Sequence, residues 1–192
     1  MSHPLHILAF SGSLRKASLN TALLREAAAL LPDGVTLEIF DLSPIPLYNG
    51  DVEAAGVPEA VRQFKAKIAE ADALLVACPE YNYSVTGVLK NALDWASRPA
   101  KDSPLHGKPL AMLGAGGQSG TMRAQFHLRQ MLVHSNVLVL NKPEVYIQRA
   151  FEKFDAEGRL KDEALREQVR HLVAALVAWT RRLNPEPERE LA

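Results

Sequence analysis

One cysteine, Cys78, in 192 residues leaves no partner for an internal disulfide. That excludes the stapled scaffolds of small secreted domains. An excess of charge of either sign is also missing: 22 basic residues face 22 acidic ones. Nucleic-acid binding calls for a clearly basic face and anionic lipid for a polybasic patch, so neither partner is expected. No apolar run approaches the ~18 residues of a membrane span; the longest, 172–179, follows His171 and reads as part of a helix. Residues 1–10 lack the charged start, apolar middle and cleavage site of a secretory signal. These features predict a soluble, cytoplasmic protein. Metal-ligand spacing is absent too: His127 and His134 lie seven apart on an expected helix and supply only two ligands, so no metal site is expected. What is present is a chain with 47% hydrophobic and 23% charged residues, long enough for one domain with a real core. That domain is expected over 1–183, with 184–192 a polar, frayed tail.

Residues 5–10 form a short apolar run that ends at Ser11-Gly12-Ser13, as a strand feeding a loop does. Ser18 is placed to cap a helix carrying Leu19, Leu23, Leu24, Ala27 and Leu30, stopped by Pro32-Asp33-Gly34. Residues 35–40 alternate like a strand, and 41–56, with Pro44, Pro46 and Asn49-Gly50, read as a long surface loop. A helix over 57–70 buries Val61, Phe64 and Ile68. Residues 71–78 are almost continuously apolar, as a parallel strand covered on both faces should be. Further helices are expected over 84–97 and 121–134, strands over 108–113 and 137–140, and a last amphipathic helix through Leu165, Val169, Leu172, Leu176 and Leu183. Five strands alternating with helices predict a doubly wound parallel α/β sheet with right-handed crossovers. In the flavodoxin-like order 2-1-3-4-5 the topology reverses between the first and third strands, and ligands sit outside the carboxyl ends of strands at that reversal.

The loops after those two strands are the least ordinary stretches of the chain. The first, 12–20, has neither the Gly-Lys-Ser/Thr ending of a P-loop nor a GxGxxG fingerprint. It does offer short donors at Ser13, Ser18 and Asn20, a permanent cation at Arg15, and the free N–H groups of a helix start, the components of a phosphate site. The alternative is a plain cap at Ser18 with a solvated Arg15. The second loop, Pro79-Glu80-Tyr81-Asn82-Tyr83-Ser84, pairs a Pro-fixed backbone with an amide that both donates and accepts and with two flat aromatics. The alternative is a surface turn capped by Ser84.

Gly12-Ser13-Leu14-Arg15 with Ser18 and Asn20, then residues 79–84 and the Gly87, Leu89, Lys90, Asn91, Ala92, Asp94, Trp95 series, resemble the NAD(P)H-dependent FMN reductase family, in its quinone, azo-dye and chromate reductase branch. The resemblance extends over roughly 5–183. It implies FMN as cofactor, with its phosphate held by Ser13, Arg15, Ser18, Asn20 and the amide near Leu19. It implies that Pro79, Glu80, Tyr81 and Asn82, with Tyr83 beside them, line the isoalloxazine. It implies further that loop 114–120, with Ala115 and Gly116, completes the site, its glycines leaving one flavin face open to NADPH or NADH. The resemblance implies subunit contacts at Arg123, Arg129 and Glu144, and with them a homodimer or homotetramer; the alternative for these three is a solvated charged face, and Phe126, standing where relatives carry tyrosine, removes a hydroxyl from any polar network across such an interface.

In such a protein the hydride passes from the nicotinamide to flavin N5, so no catalytic acid, base or nucleophile is expected of the chain. Small-molecule acceptors, namely quinones, azo compounds, chromate or free flavin, would follow the nicotinamide into one pocket by a ping-pong scheme. The competing reading is a flavodoxin-type electron carrier. Such carriers tend to be acidic and to shield the flavin with aromatics, whereas this chain is neutral and its third loop is glycine-rich. Cys78 is read as a core residue beside the flavin loop, with redox sensitivity left open.

Overall fold

The computed structural model describes residues 4–184; the expected frayed tail, apart from Asn184, lies outside them. The central sheet is built on β1 (Leu5–Ser11), β2 (Val35–Phe40), β3 (Ala73–Ala77) and a longer strand, Pro109–Ala115, all parallel. A two-residue pair, β4 (Glu80–Tyr81) and β5 (Ser84–Val85), stands apart as an antiparallel hairpin, so Pro109–Ala115 is β6. The order β2-β1-β3-β6 carries the predicted reversal between the first and third strands.

The edge beyond β6 differs from expectation. A single strand over 137–140 is replaced by two short ones, β7 (Leu138–Val139) and β8 (Val145–Ile147), which pair with successive halves of β6. Pro143 lies between them, and a proline cannot donate to a ladder. The interruption is therefore chemical, and the two pieces together occupy the fifth strand position.

Alternation along the strands divides the core. Ile7 and Ala9 of β1 face one layer, made by α1 (Leu19–Ala29) and the C-terminal helix Glu163–Leu183. Leu8 and Phe10 face the other, where Phe64 meets Phe10 edge-on at 5.2 Å. That second layer is formed by the helices Glu59–Glu70, Gly87–Ala96 and Met122–His134. A short helix, α2 (Gly50–Ala55), capped by Asn49, occupies part of the stretch expected to be all loop. The later helices are thus α3 (Glu59–Glu70), α4 (Gly87–Ala96), α5 (Met122–His134), α6 (Ala150–Lys153) and α7 (Glu163–Leu183).

The 41–49 loop is ordered by α4. Asn91 and Trp95, one turn apart and so on one face, both donate to the Pro46 carbonyl at 2.8 Å, and the Asn91 side-chain oxygen accepts from the Tyr48 amide at 2.8 Å. Two of the recognisable residues of the 87–95 series therefore hold a loop. They do not reach the switch point.

Candidate functional site

Three loops converge at the carboxyl ends of β1, β3 and β6. Loop one enters α1 through Ser18, whose hydroxyl accepts from the Thr21 amide at 3.3 Å. The first-turn amides of Leu19 and Asn20 precede the i→i−4 ladder and have no intrahelical acceptor. No acidic residue stands in that first turn. Arg15 is exposed and has no ion-pair partner among the described residues. Gly12 sits where a Cβ would lie 2.7 Å from the Thr86 hydroxyl and 2.9 Å from Pro79 Cδ. The Thr86 hydroxyl donates to the Gly12 carbonyl at 2.7 Å and caps α4 by accepting from Leu89. Thr86, and not Ser84, is the helix cap.

Ser84 instead belongs to the β4–β5 hairpin, whose tip residues Asn82 and Tyr83 have φ of 49° and 65°. Left-handed backbone at both central positions defines the tight hairpin turn that favours Asn-Gly. Tyrosine in the glycine position is held from outside: the Arg123 guanidinium lies 3.6 Å over its ring. The same Arg123 donates from Nε to Glu80 Oε1 at 2.6 Å and also contacts the Ser119 hydroxyl. The other Glu80 oxygen accepts from the Ala124 amide at 3.2 Å, at the start of α5 where a carboxylate meets the positive helix end. Hydrogen bonding to Glu80 is the main cause that holds the Arg123 pKa above its ordinary value. Glu80, with a side chain only 6% exposed, thus locks loop two to the helix that follows loop three.

Loop three is tied to loop one by Asn20, whose amide donates to the Ala115 carbonyl at 2.9 Å while its oxygen accepts from the Ala115 amide at 3.0 Å. The Gly117 and Gly116 carbonyls accept from the Arg149 and Ala150 amides at 2.8 and 2.9 Å, pinning the loop from the opposite side. Close packing explains Gly114 and Gly116. A Cβ at Gly114 would meet the Thr121 side chain and, at 2.7 Å, the Cys78 carbonyl; one at Gly116 would meet the Gly120 backbone.

Between the loops lies a cavity of about 270 Å³ lined by Ser13, Arg15, Ser18, Leu19, Asn20, Pro79, Glu80, Tyr81, Ala115 and Gly116. Ten of the twelve residues singled out from the sequence meet there. Asn82 and Tyr83 stand at the hairpin tip, outside the lining. Gly117, from the anticipated 114–120 loop, completes the wall with Ala150 and Phe151, which were not anticipated. The only sequence signal for the last two was an isolated apolar pair after the fifth strand. Phe151 is 74% exposed at the cavity rim.

The residues considered as subunit contacts are engaged within the chain. Arg129 donates to the Leu140 carbonyl at 3.1 Å and Asn141 at 3.0 Å; Glu144 accepts from Lys142 at 2.5 Å. His127 Nδ1 lies 2.9 Å from the Ser84 hydroxyl. Cys78 is fully buried, and burial pushes its thiol up to about 12.

A doubly wound sheet of flavodoxin-like order, with a cation and a free helix start at its switch point, defines a phosphate-anchored cofactor protein. The particular family is the NADPH-dependent FMN reductase family, to which this chain belongs: residues 5–152 match it. The chain is 55% identical over 185 residues to an NAD(P)H-dependent FMN reductase of Pseudomonas aeruginosa, covering 96% of this chain and 100% of that protein. It is 46% identical to an NADPH:quinone oxidoreductase of Arabidopsis thaliana, over 94% of each. Among solved structures, the flavoenzyme NAD(P)H:(acceptor) oxidoreductase FerB of Paracoccus denitrificans superposes with a TM-score of 0.83 at 34% identity, covering 93% of this chain and 98% of that one.

Proposed function

We propose that the chain holds FMN in the 270 Å³ cavity, oxidises NADPH or NADH, and delivers the electrons to a quinone. The observation that carries this reading is the convergence of an unpaired Arg15, two serine hydroxyls and the α1 start on one wall, opposite the Pro79–Tyr81 and Ala115–Gly117 backbone. FMN supplies two-electron redox chemistry between a nicotinamide and an acceptor. The protein supplies position. Arg15, Ser13, Ser18 and the Leu19 and Asn20 amides present donors to a phosphate, through charge-assisted bonds of about 1.5–3 kcal/mol each. The Asn20 side chain acts at one remove, because both its groups serve Ala115. Glu80 acts likewise, through Arg123. No side chain is needed as acid or base.

The test is Arg15→Met. FMN affinity falls at least tenfold, and quinone-dependent NADPH oxidation falls in proportion to bound flavin and returns when flavin is added. Unchanged FMN affinity would contradict a phosphate at Arg15.

A homo-oligomer formed through α5 belongs to the same proposal, as does a cytoplasmic location. Met122, Phe126 and Val133 are exposed on that helix at spacings of four and seven, beside exposed Tyr83. Large apolar side chains exposed along one helix in this way suit an association surface. Phe126→Asp with Val133→Asp lowers the mass measured by light scattering; an unchanged mass places the contact elsewhere. No described helix is long and apolar enough to cross a membrane.

A further inference from the structure

A second cavity, of about 430 Å³, adjoins the first across loop one, and Ser13 and Arg15 line both. Its far side is made by Lys16, Thr21 and Arg25 and by the carboxyl end of β2, with Ile39, Phe40 and Leu42 as an apolar floor. Arg15, Lys16 and Arg25 thus face one space. None of the three has an ion-pair partner among the described residues, although the chain forms many surface pairs elsewhere. Asp41 is the one carboxylate in the lining, and it accepts from the Ser43 amide at 2.9 Å and the Ser43 hydroxyl at 2.6 Å.

Three cations without ion-pair partners, set against the single Asp41 carboxylate, leave this concave surface with a net positive charge, so the arrangement favours a multiply charged anion. The apolar floor beside them suits a flat base. A polar, cationic rim over an apolar floor, sharing Ser13 and Arg15 with the first cavity, matches the far end of a phosphorylated nicotinamide dinucleotide. NADH has no phosphate there to engage the rim.

We propose that this cavity receives the 2′-phosphoadenosine end of NADPH, that Lys16 and Arg25 bind its 2′-phosphate, and that the enzyme therefore prefers NADPH to NADH. This rests on the reading of the first cavity as the flavin site. Arg15 stands between the two cavities and remains with the flavin phosphate.

The experiment compares the wild type with Lys16→Gln/Arg25→Gln, both loaded with FMN. Adenosine 2′,5′-bisphosphate, titrated calorimetrically, binds the wild type at least tenfold more tightly than adenosine 5′-monophosphate, and the double variant loses that difference. In turnover, kcat/KM for NADPH falls about 10- to 100-fold, mostly through KM, as expected for two lost charge-assisted contacts. The value for NADH and the FMN content stay unchanged. Equal affinity of the wild type for the two nucleotides would overturn the proposal, as would a parallel fall with both donors. A drop in FMN content would also overturn it, by assigning the cations to the flavin phosphate. A protein that binds FMN yet oxidises neither donor would instead sink the reductase reading, while the calorimetric arm would still decide this site.

Discussion

Asn20 and Ala115, 95 positions apart, exchange two hydrogen bonds: the asparagine amide donates to the Ala115 carbonyl at 2.9 Å and accepts from the Ala115 amide at 3.0 Å. A side chain that mimics a backbone partner in this way welds the start of α1 to the end of β6. Both residues line the 270 Å³ cavity, on opposite sides of this weld.

Asn20→Ala leaves the Ala115 amide and carbonyl without these partners in a buried place, at about 1–3 kcal/mol for each unsatisfied group. Urea unfolding shows a lowered midpoint with an unchanged slope, and FMN affinity falls. Asn20→Asp, which accepts but cannot donate, recovers only part of the loss. Wild-type stability in the alanine variant would show that the pair is dispensable.

Glu80 and Arg123 form the corresponding lock for loop two. Arg123→Met strips the buried Glu80 carboxylate of its cation and uncovers the strained Tyr83 turn. Because Arg123 itself is partly exposed, the loss is about 1–3 kcal/mol, less than for a fully buried pair. Glu80→Gln/Arg123→Met loses less than the two single variants added together, which a double-mutant cycle by denaturation reads directly. Strict additivity would deny the coupling.

Gly114→Ala tests why loop three is glycine-rich. The new methyl group would press on the Thr121 side chain and the Cys78 carbonyl, for an overpacking cost of about 1–3 kcal/mol. Gly117→Ala, which meets nothing within 4 Å, has little effect on folding. If both variants unfold at the wild-type urea concentration, packing is not the reason for these glycines.

Sequence made the sheet legible because its strands are long and apolar, and the switch point followed from their order. Residues whose work is local, such as the Ser18 cap and the Arg15 cation, were equally visible. Those that act across distance were not. That Asn20 and Glu80 also tie loops together was hidden, because a lone polar side chain in a loop does not announce a partner 95 or 43 residues away. Ser84 looked like a cap because it precedes an apolar run, yet Thr86, two positions later, does that work. The fifth strand position was misjudged for a related reason: its second half is only three residues long, just after Pro143 and Glu144. The cations of the second cavity come from loop one and α1 and meet the end of β2 only in three dimensions.

Cys78 gives a pH prediction. Burial raises its pKa from an ordinary 9.0 to about 12, so the folded protein favours the neutral thiol. The resulting stability is complete below about pH 9 and is lost as pH rises from there towards 12, where the unfolded chain ionises first. Cys78→Ala flattens the alkaline side of the stability profile measured by denaturant titration. At pH 8 an aromatic disulfide reagent leaves the native thiol untouched and reacts on unfolding. Rapid reaction in the native state would reveal an accessible thiolate and reopen redox sensitivity at this position.

The most direct test of the central claim is the absorbance spectrum of the purified chain loaded with FMN and then given NADPH without oxygen. The expected result is a bound-flavin spectrum, perturbed from free FMN, that bleaches with NADPH and returns when a quinone is added. Absence of flavin binding, or a bound flavin that stays oxidised with both NADPH and NADH, would contradict it.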